Sequence, residues 1–200
     1  MQTTPKFAAI ILAAGHSSRM GEPKWRLTMP SGKNFLHHIA GNYNRMGIPA
    51  IAVININDQE LFQETPSPEP LTLAVNPTPQ LGRMFSLQCG LQKLPDPVPC
   101  FLHNIDNPSV NKALTQKLMR QLGSFSYARP ICNGKGAHPL LINTDLTERL
   151  LQLSPPLPIL RDYIKNFKGI DVPWNDPEIL LNINTRQDYE SFLQGKVESG

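Results

Sequence analysis

Cysteine is scarce in this 200-residue chain. The three present, Cys89, Cys100 and Cys132, are odd in number and widely spaced, and no CxxC occurs. That excludes a disulfide framework and a zinc ribbon, and each cysteine lies in an apolar stretch. The pattern reads as reduced core thiols in a cytoplasmic protein. The five histidines, His16, His37, His38, His103 and His138, show no metal-ligand spacing. Long apolar runs are missing as well. The longest, Phe7–Ala14, has eight residues, too few to cross a bilayer, so no membrane partner is expected. Lys6 followed by apolar residues faintly resembles a signal peptide, but nothing else points to secretion, and a first strand is the expectation. Basic residues form no run of five and the net charge is only +3, so no nucleic-acid footprint is present. No internal repeat is visible.

What is there suits one domain over residues 1–200: 40% hydrophobic and 18% charged residues, with enough chain for a sizeable core. Proline is plentiful, at 20 residues, and clusters at Pro66–Pro70, Pro95–Pro99 and Pro155–Pro158, which reads as loops. The chain is organised around FAAIILAAGHSSRMGEPK, Phe7 to Lys24. The apolar run has the length of a buried strand. It stops at Gly15, and a polar loop carrying Arg19 and Lys24 follows. Gly15 and Gly21 are expected to allow backbone angles that side chains forbid. Such a loop turns successive N–H groups inward and forms an anion-binding nest, to which Arg and Lys add charge. The reading is a phosphate-binding loop after the first strand of an α/β sheet. It is not a P-loop, because Met20 stands where GxxxxGK[ST] needs its second glycine, and Lys24 follows a proline. It is not a dinucleotide fingerprint either, because Ser17 occupies the position of the second glycine.

The stretch resembles the nucleotidyltransferase pattern LAAGxSxRMGxxK. All nine specified positions match across thirteen residues: Leu12, Ala13, Ala14, Gly15, Ser17, Arg19, Met20, Gly21 and Lys24. It is similar to the molybdenum cofactor cytidylyltransferase group and its relatives, the MobA-like NTP transferases. The resemblance implies a Rossmann-like three-layer α/β sandwich with a mostly parallel sheet, of the nucleotide-diphospho-sugar transferase type.

Further along, apolar spacing predicts a helix over Lys33–Met46, a strand over Ala50–Ile56, a short helix over Asp58–Thr65 and a strand over Leu71–Val75. Asn76–Leu91 reads NPTPQLGRMFSLQCGL, with a helix expected over Arg83–Leu94. The family commonly reads NPxxxxGxxxSLxxGL here, which implies that Asn76, Gly82 and Ser86 bind the nucleotide. An ordinary strand-to-helix turn is the plainer alternative. A strand over Pro99–Ile105 ends in Asp106-Asn107-Pro108, where relatives carry Asp-x-Pro and hold a metal. Mg²⁺ needs few protein carboxylates, so Asp106 is the expected Mg²⁺ ligand; a helix cap before Ser109–Leu122 is the alternative. Tyr127–Cys132 and Pro139–Ile142 read as strands. Gly136-Ala137-His138-Pro139 resembles the family's GHP, so the resemblance places His138 against the acceptor; a structural histidine at a turn fits the residues equally. Short helices are expected over Leu146–Leu153 and Ile159–Phe167, and extended chain over Asp171–Pro173 and Ile179–Ile183. A last helix begins at a capping-box-like Thr185-Arg186-Gln187-Asp188. Relatives often read LLDIDTPEDY where this chain has LLNINTRQDY. Asn182 and Asn184 replace aspartates, and Asn184 is the expected second metal ligand.

Together these imply a Mg²⁺-dependent nucleotidyltransferase. An NMP would pass from an NTP, CTP favoured over GTP by the LAAG form, to a phosphorylated small molecule, with pyrophosphate leaving. Leu12, Ala13, Ala14 and Gly15 would cradle the nucleotide, and Arg19 and Lys24 would be catalytic. A molybdopterin-type acceptor leads; a sugar or polyol phosphate is the runner-up. A nucleotide-binding module without catalysis is a separate hypothesis, motivated by Asn107, Asn182 and Asn184. A dehydrogenase is the weakest, since its glycine fingerprint is absent. A homodimer is compatible with all of these.

Overall fold

The computed structural model describes residues 6–65 and 70–195. Its first half runs β1 (Ala8–Ala13), α1 (Phe35–Arg45), β2 (Ala50–Asn55), α2 (Gln59–Gln63), β3 (Thr72–Asn76), α3 (Gly82–Leu91) and β4 (Cys100–Asn104). Then come α4 (Lys112–Leu122), β5 (Tyr127–Cys132), β6 (Lys135–Gly136), β7 (Leu140–Ile142), α5 (Thr144–Leu151), α6 (Leu160–Tyr163), β8 (Gly169–Pro173) and α7 (Arg186–Leu193).

All six residues of β1 are buried, because the strand lies between β2 and β4, both parallel to it. A strand covered on both faces has no polar side to show, which is why it reads as a continuous apolar run. The sheet has eight strands in the order β3-β2-β1-β4-β7-β5-β6, with β8 parallel to β5. β7 is antiparallel to β4 and to β5. The chain winds outward from β1 through β2 to β3, then returns through α3 to place β4 on the other side of β1. That reversal opens a crevice at the carboxyl ends of β1 and β4, the position where open α/β sheets bind ligands.

The alternation of β1 sorts the core into two layers. Ala9, Ile11 and Ala13 pack with Phe35, Ile39 and Tyr43 of α1 and with Leu114 and Leu118 of α4. Ala8, Ile10 and Leu12 pack with Leu87 and Leu91 of α3 and with Leu146 and Leu150 of α5. Gly90 lets α3 approach closely: a Cβ there would fall 2.6 Å from Ile10 Cγ2 and 2.8 Å from Val53 Cγ2. Asparagines cap three helices: Asn34, Asn111 and Asn143 each accept an N–H from the first turn.

The expected elements are present with shifted ends. Ile179–Ile183 is the exception: Pro177–Leu180 is a 3-10 turn. Proline at its first position suits a tight turn, and among the described residues no strand pairs with it. All three cysteines are free and buried. Of the Pro66–Pro70 cluster only Pro70 is among the described residues.

Candidate active site

The loop leaving β1 is shaped by local turns. Met20 N–H donates to the Ser17 carbonyl at 2.8 Å, and Lys24 N–H to Ser17 Oγ at 3.2 Å. Ser17 and Gly21 have φ of 49° and 79°. Gly15 does not, contrary to the expectation of a left-handed angle there. A Cβ at Gly15 would meet nothing within 4 Å, so glycine there leaves room beside the backbone rather than relieving strain. Among the described residues, no backbone N–H from Gly15 to Arg19 is bonded elsewhere in the chain. Five successive donors are therefore left without a partner in the chain, as an anion site requires. The loop is pinned at its far end by Trp25, fully buried, whose Nε1–H donates to Asp58 Oδ2 at 3.2 Å.

The second wall comes from the start of α3. Gly82 has φ +83°, a turn that glycine makes without penalty. Ser86 Oγ donates to the Gly82 carbonyl at 3.3 Å and accepts Asn76 Nδ2–H at 2.9 Å. Asn76 is fully buried, and its Oδ1 accepts Thr78 N–H at 2.8 Å. It therefore braces Ser86 from behind.

The third wall is the turn after β4 and the approach to α7. Ile183 N–H donates to the Asp106 carbonyl at 2.8 Å, which ties the two segments together. The capping box holds the rest. Asp188 Oδ2 accepts the N–H groups of Asn184 and Thr185 at 2.8 and 2.7 Å, and Asp188 N–H donates to Thr185 Oγ1 at 3.1 Å. Burial works to raise the Asp188 pKa, but those backbone and hydroxyl bonds, with Lys24 nearby, bring it below the usual range. Asn184, so positioned, accepts Lys24 Nζ–H on Oδ1 at 2.6 Å. The oxygen expected to contact a metal accepts from the lysine in this structure.

These walls enclose a cavity of about 380 Å³. Leu12, Ala14, Gly15, Arg19 and Lys24 line one side; Gly82 and Ser86, with Asp106 and Asn184, line the others. Ala13 is buried beneath the loop and, like Asn76, is not part of the lining. Partial burial lowers the Lys24 pKa; Asp106 and Asp188 pull it back up, while Arg19 and Arg83 push it down. Among the described residues no group of three His, Cys, Asp or Glu side chains could hold a metal. Among the described residues Asp106 is the one carboxylate lining the cavity, a donor set that suits a cation arriving with phosphate oxygens.

A second cavity, of about 630 Å³, shares Gly82 and Arg83 with the first. His138 lines it, so the structure brings His138 beside the site and not into the first cavity. Its Nδ1 lies 3.4 Å from the Leu102 carbonyl oxygen and its Nε2 2.6 Å from Asn104 Nδ2. Nδ1–H donates to the carbonyl, and Nε2 accepts from the amide. Burial lowers the His138 pKa, against the pull of Asp106. The hydrogen bonds expected toward an acceptor are made within the protein.

A scan against family models matches residues 9–166 to the MobA-like NTP transferase domain. The chain belongs to the MobA-like NTP transferase family. Nucleotidyl transfer is the activity that membership carries, and the chain is an enzyme of that kind. No curated protein matches it significantly. Solved structures share the fold of this NTP transferase at low identity. Rv0371c from Mycobacterium tuberculosis H37Rv has a TM-score of 0.77 at 16% identity, over 94% of this chain and 98% of its own; it has also been solved in complex with manganese. Molybdopterin-guanine dinucleotide biosynthesis protein A from Archaeoglobus fulgidus has a TM-score of 0.68 at 15% identity, over 94% and 97%. The 4-diphosphocytidyl-2C-methyl-D-erythritol synthase from Anaerococcus prevotii has a TM-score of 0.69 at 15% identity, over 94% and 97%. Among the described residues no helix is long and apolar enough to cross a membrane.

Reading the sequence missed Pro79, Arg83, Asn104 and Ile105, which all line the first cavity. Arg83 carried a signal. A cation in the first turn of a helix opposes the helix dipole, and local choices that break a rule mark functional sites.

Proposed function

We propose that this chain transfers a nucleoside monophosphate from an NTP, with CTP favoured, to a phosphorylated small molecule, with Mg²⁺ as the working metal. The observation that carries the reading is that a loop with five unpartnered N–H groups, Arg19, Lys24 and Asp106 all line one cavity at the β1/β4 crevice. The loop amides and Arg19 hold the triphosphate. Lys24, aimed by Asn184, stabilises charge as it builds on the transferring phosphate. A phosphate oxygen of the acceptor attacks the α-phosphorus, the bond to the β-phosphate oxygen breaks, and pyrophosphate leaves. The protein's part is positioning and electrostatics. Asp106 holds the Mg²⁺, which when bound neutralises charge on the phosphates. Gly82 and Ser86 border the nucleoside, with Asn76 setting Ser86. The acceptor enters from the second cavity, past Arg83 and the wall that His138 braces. Binding of CTP, GTP, ATP and UTP, each with and without Mg²⁺, tests this by thermal shift, followed by pyrophosphate release. Selective stabilisation that grows with Mg²⁺ is expected. A chain that none of the four stabilises would overturn the reading.

A further inference from the structure

The turn that carries Lys24 is held to the rest of the chain from two sides. Lys24–Arg26 is a single 3-10 turn, closed by Leu27 N–H donating to the Lys24 carbonyl at 3.1 Å. On one side Trp25 is buried and bonded to Asp58. On the other side the chain leaves the turn through Leu27 and Thr28, and there it meets α7. Thr28 N–H donates to Tyr189 Oη at 3.0 Å, and Tyr189 Oη–H donates to the Thr28 carbonyl at 2.8 Å. One hydroxyl therefore engages both backbone polar groups of the residue after Leu27.

Tyr189 follows Asp188 directly in α7. Asp188 Oδ2 accepts Asn184 N–H, and Asn184 Oδ1 accepts Lys24 Nζ–H. Both ends of the Lys24–Asn184 bond are thus tied to neighbouring residues of one helix, the amide through Asp188 and the lysine's backbone through Tyr189. The Tyr189 ring needs no hydroxyl to stay in place. It is 7% exposed, edge-on to Phe35 at 5.9 Å between centroids, with the Arg186 guanidinium 5.6 Å from its centre. Thr28 is exposed, so water can replace both of its bonds at modest cost in stability. An Arg186–Glu22 pair crosses the same gap at 3.2 Å, but its side chains are 58% and 40% exposed, and such a pair holds little. What the hydroxyl supplies is placement. A lysine ammonium rides on a flexible four-carbon stem, so its position in the cavity depends on where its backbone starts, and a displacement of about 1 Å can cost on the order of 10²-fold in rate.

We propose that Tyr189 is a positioning residue for Lys24: by holding the Thr28 backbone, its hydroxyl fixes the turn that carries the lysine to the same end of α7 that fixes Asn184. This rests on the nucleotidyltransferase reading above. Tyr189 does not line the cavity and touches no phosphate; it acts through Lys24 alone. Its removal therefore costs anion binding only while the ammonium is there to be misplaced.

Calorimetric titration of inorganic pyrophosphate in Mg²⁺-free buffer tests this without an acceptor. Pyrophosphate carries the charge that the transfer leaves behind, so it meets the loop and Lys24. Lys24→Ala should weaken it about tenfold or more. Tyr189→Phe, which keeps the ring, should weaken it about three- to tenfold while melting only a few degrees lower. Added to Lys24→Ala, the same change should cost less than about twofold, because coupled residues do not add. Added to Arg19→Gln, it should cost as much as in the parent, because Arg19 lies in the loop before the turn. Amide exchange in the unaltered protein gives a reading that needs no variant: pyrophosphate should slow exchange at Leu27 and Thr28 as well as at Ser17–Arg19. The inference is overturned by a Tyr189→Phe loss that is absent, that is equal with and without Lys24, or that vanishes in Arg19→Gln. Protection confined to the loop, or a parent that binds CTP and not pyrophosphate, overturns it too. CTP binding is read separately by thermal shift. Its absence overturns the transferase reading and this inference with it; its presence without the Lys24-dependent loss overturns the inference alone.

Discussion

Lys24 Nζ donates to Asn184 Oδ1 at 2.6 Å across 160 residues of sequence. The bond joins the phosphate loop to the segment before α7. Lys24 is consequently held by the far end of the chain, in a cavity where Asp106 also faces it. Replacing Lys24 with alanine removes one aimed positive charge. Turnover should fall about 10²-fold or more, since loss of one such stabiliser typically costs ~3 kcal/mol. Steady-state kinetics with the folded variant, checked by its melting temperature, measures this. A variant as fast as the parent would remove Lys24 from the mechanism.

Asn184→Ala separates aiming the lysine from holding a metal. With the amide oxygen engaged by Lys24, its removal should slow turnover about ten- to a hundredfold, as loss of a hydrogen bond to a charged group costs roughly 1.5–3 kcal/mol. The Mg²⁺ concentration giving half-maximal activity should stay within about twofold of the parent's. A large rise in that concentration would show Asn184 to be a ligand after all.

Asp106→Asn keeps the side-chain shape and removes the charge. Mg²⁺ should then add little to the thermal stabilisation by the preferred nucleotide, while the nucleotide alone still stabilises, because the loop N–H groups are untouched. If Mg²⁺ enhances binding as strongly as in the parent, Asp106 does not hold it.

The unbroken apolar run of β1 and the periodicity of α1, α3 and α4 are visible in the sequence because burial is written directly into apolar spacing. The cavity residues Leu12, Gly15, Arg19, Lys24, Gly82, Ser86 and Asp106 stand in short motifs and could be found by pattern. Pairings across long separations could not. Nothing near Asn184 says that its oxygen meets a lysine, and nothing near His138 says that Asn104 and Leu102 occupy its ring nitrogens. The second cavity was hidden for the same reason: its aliphatic walls come from three stretches far apart in sequence, residues 81–84, 137–140 and 157–164.

Gly90 is legible in both ways, as a motif glycine and as a close approach of α3 to the sheet. Gly90→Ala places a methyl 2.6 Å from Ile10 Cγ2, against branch methyls that cannot swing away. Overpacking of this kind costs about 1–3 kcal/mol. The melting temperature should drop by several degrees, since each kcal/mol is worth roughly 2–4 °C in a chain of this size. An unchanged melting point would mean that α3 can slide outward without loss.

His103 sets the acid limb of stability. It is fully buried, with Tyr43 Oη 3.0 Å from Nδ1 and the Asn107 carbonyl oxygen 2.7 Å from Nε2. The Nε2–H donates to the carbonyl, and Nδ1 accepts from the tyrosine. Burial pushes its pKa down to about 3, against the pull of the Asn107 carbonyl; His138 and His38 lower it further. The folded pKa lies below the unfolded one of ~6.5, so between these values the unfolded chain binds a proton that the native chain does not. Stability is complete above pH ~6.5 and falls as pH drops toward 3, by up to about 1.4 kcal/mol per pH unit from this residue. Urea denaturation from pH 7 to 4 should show that slope. In His103→Gln, which cannot titrate, the slope should shrink by about one proton, even if the variant begins from lower stability. A slope unchanged by the substitution would assign the acid limb to other groups.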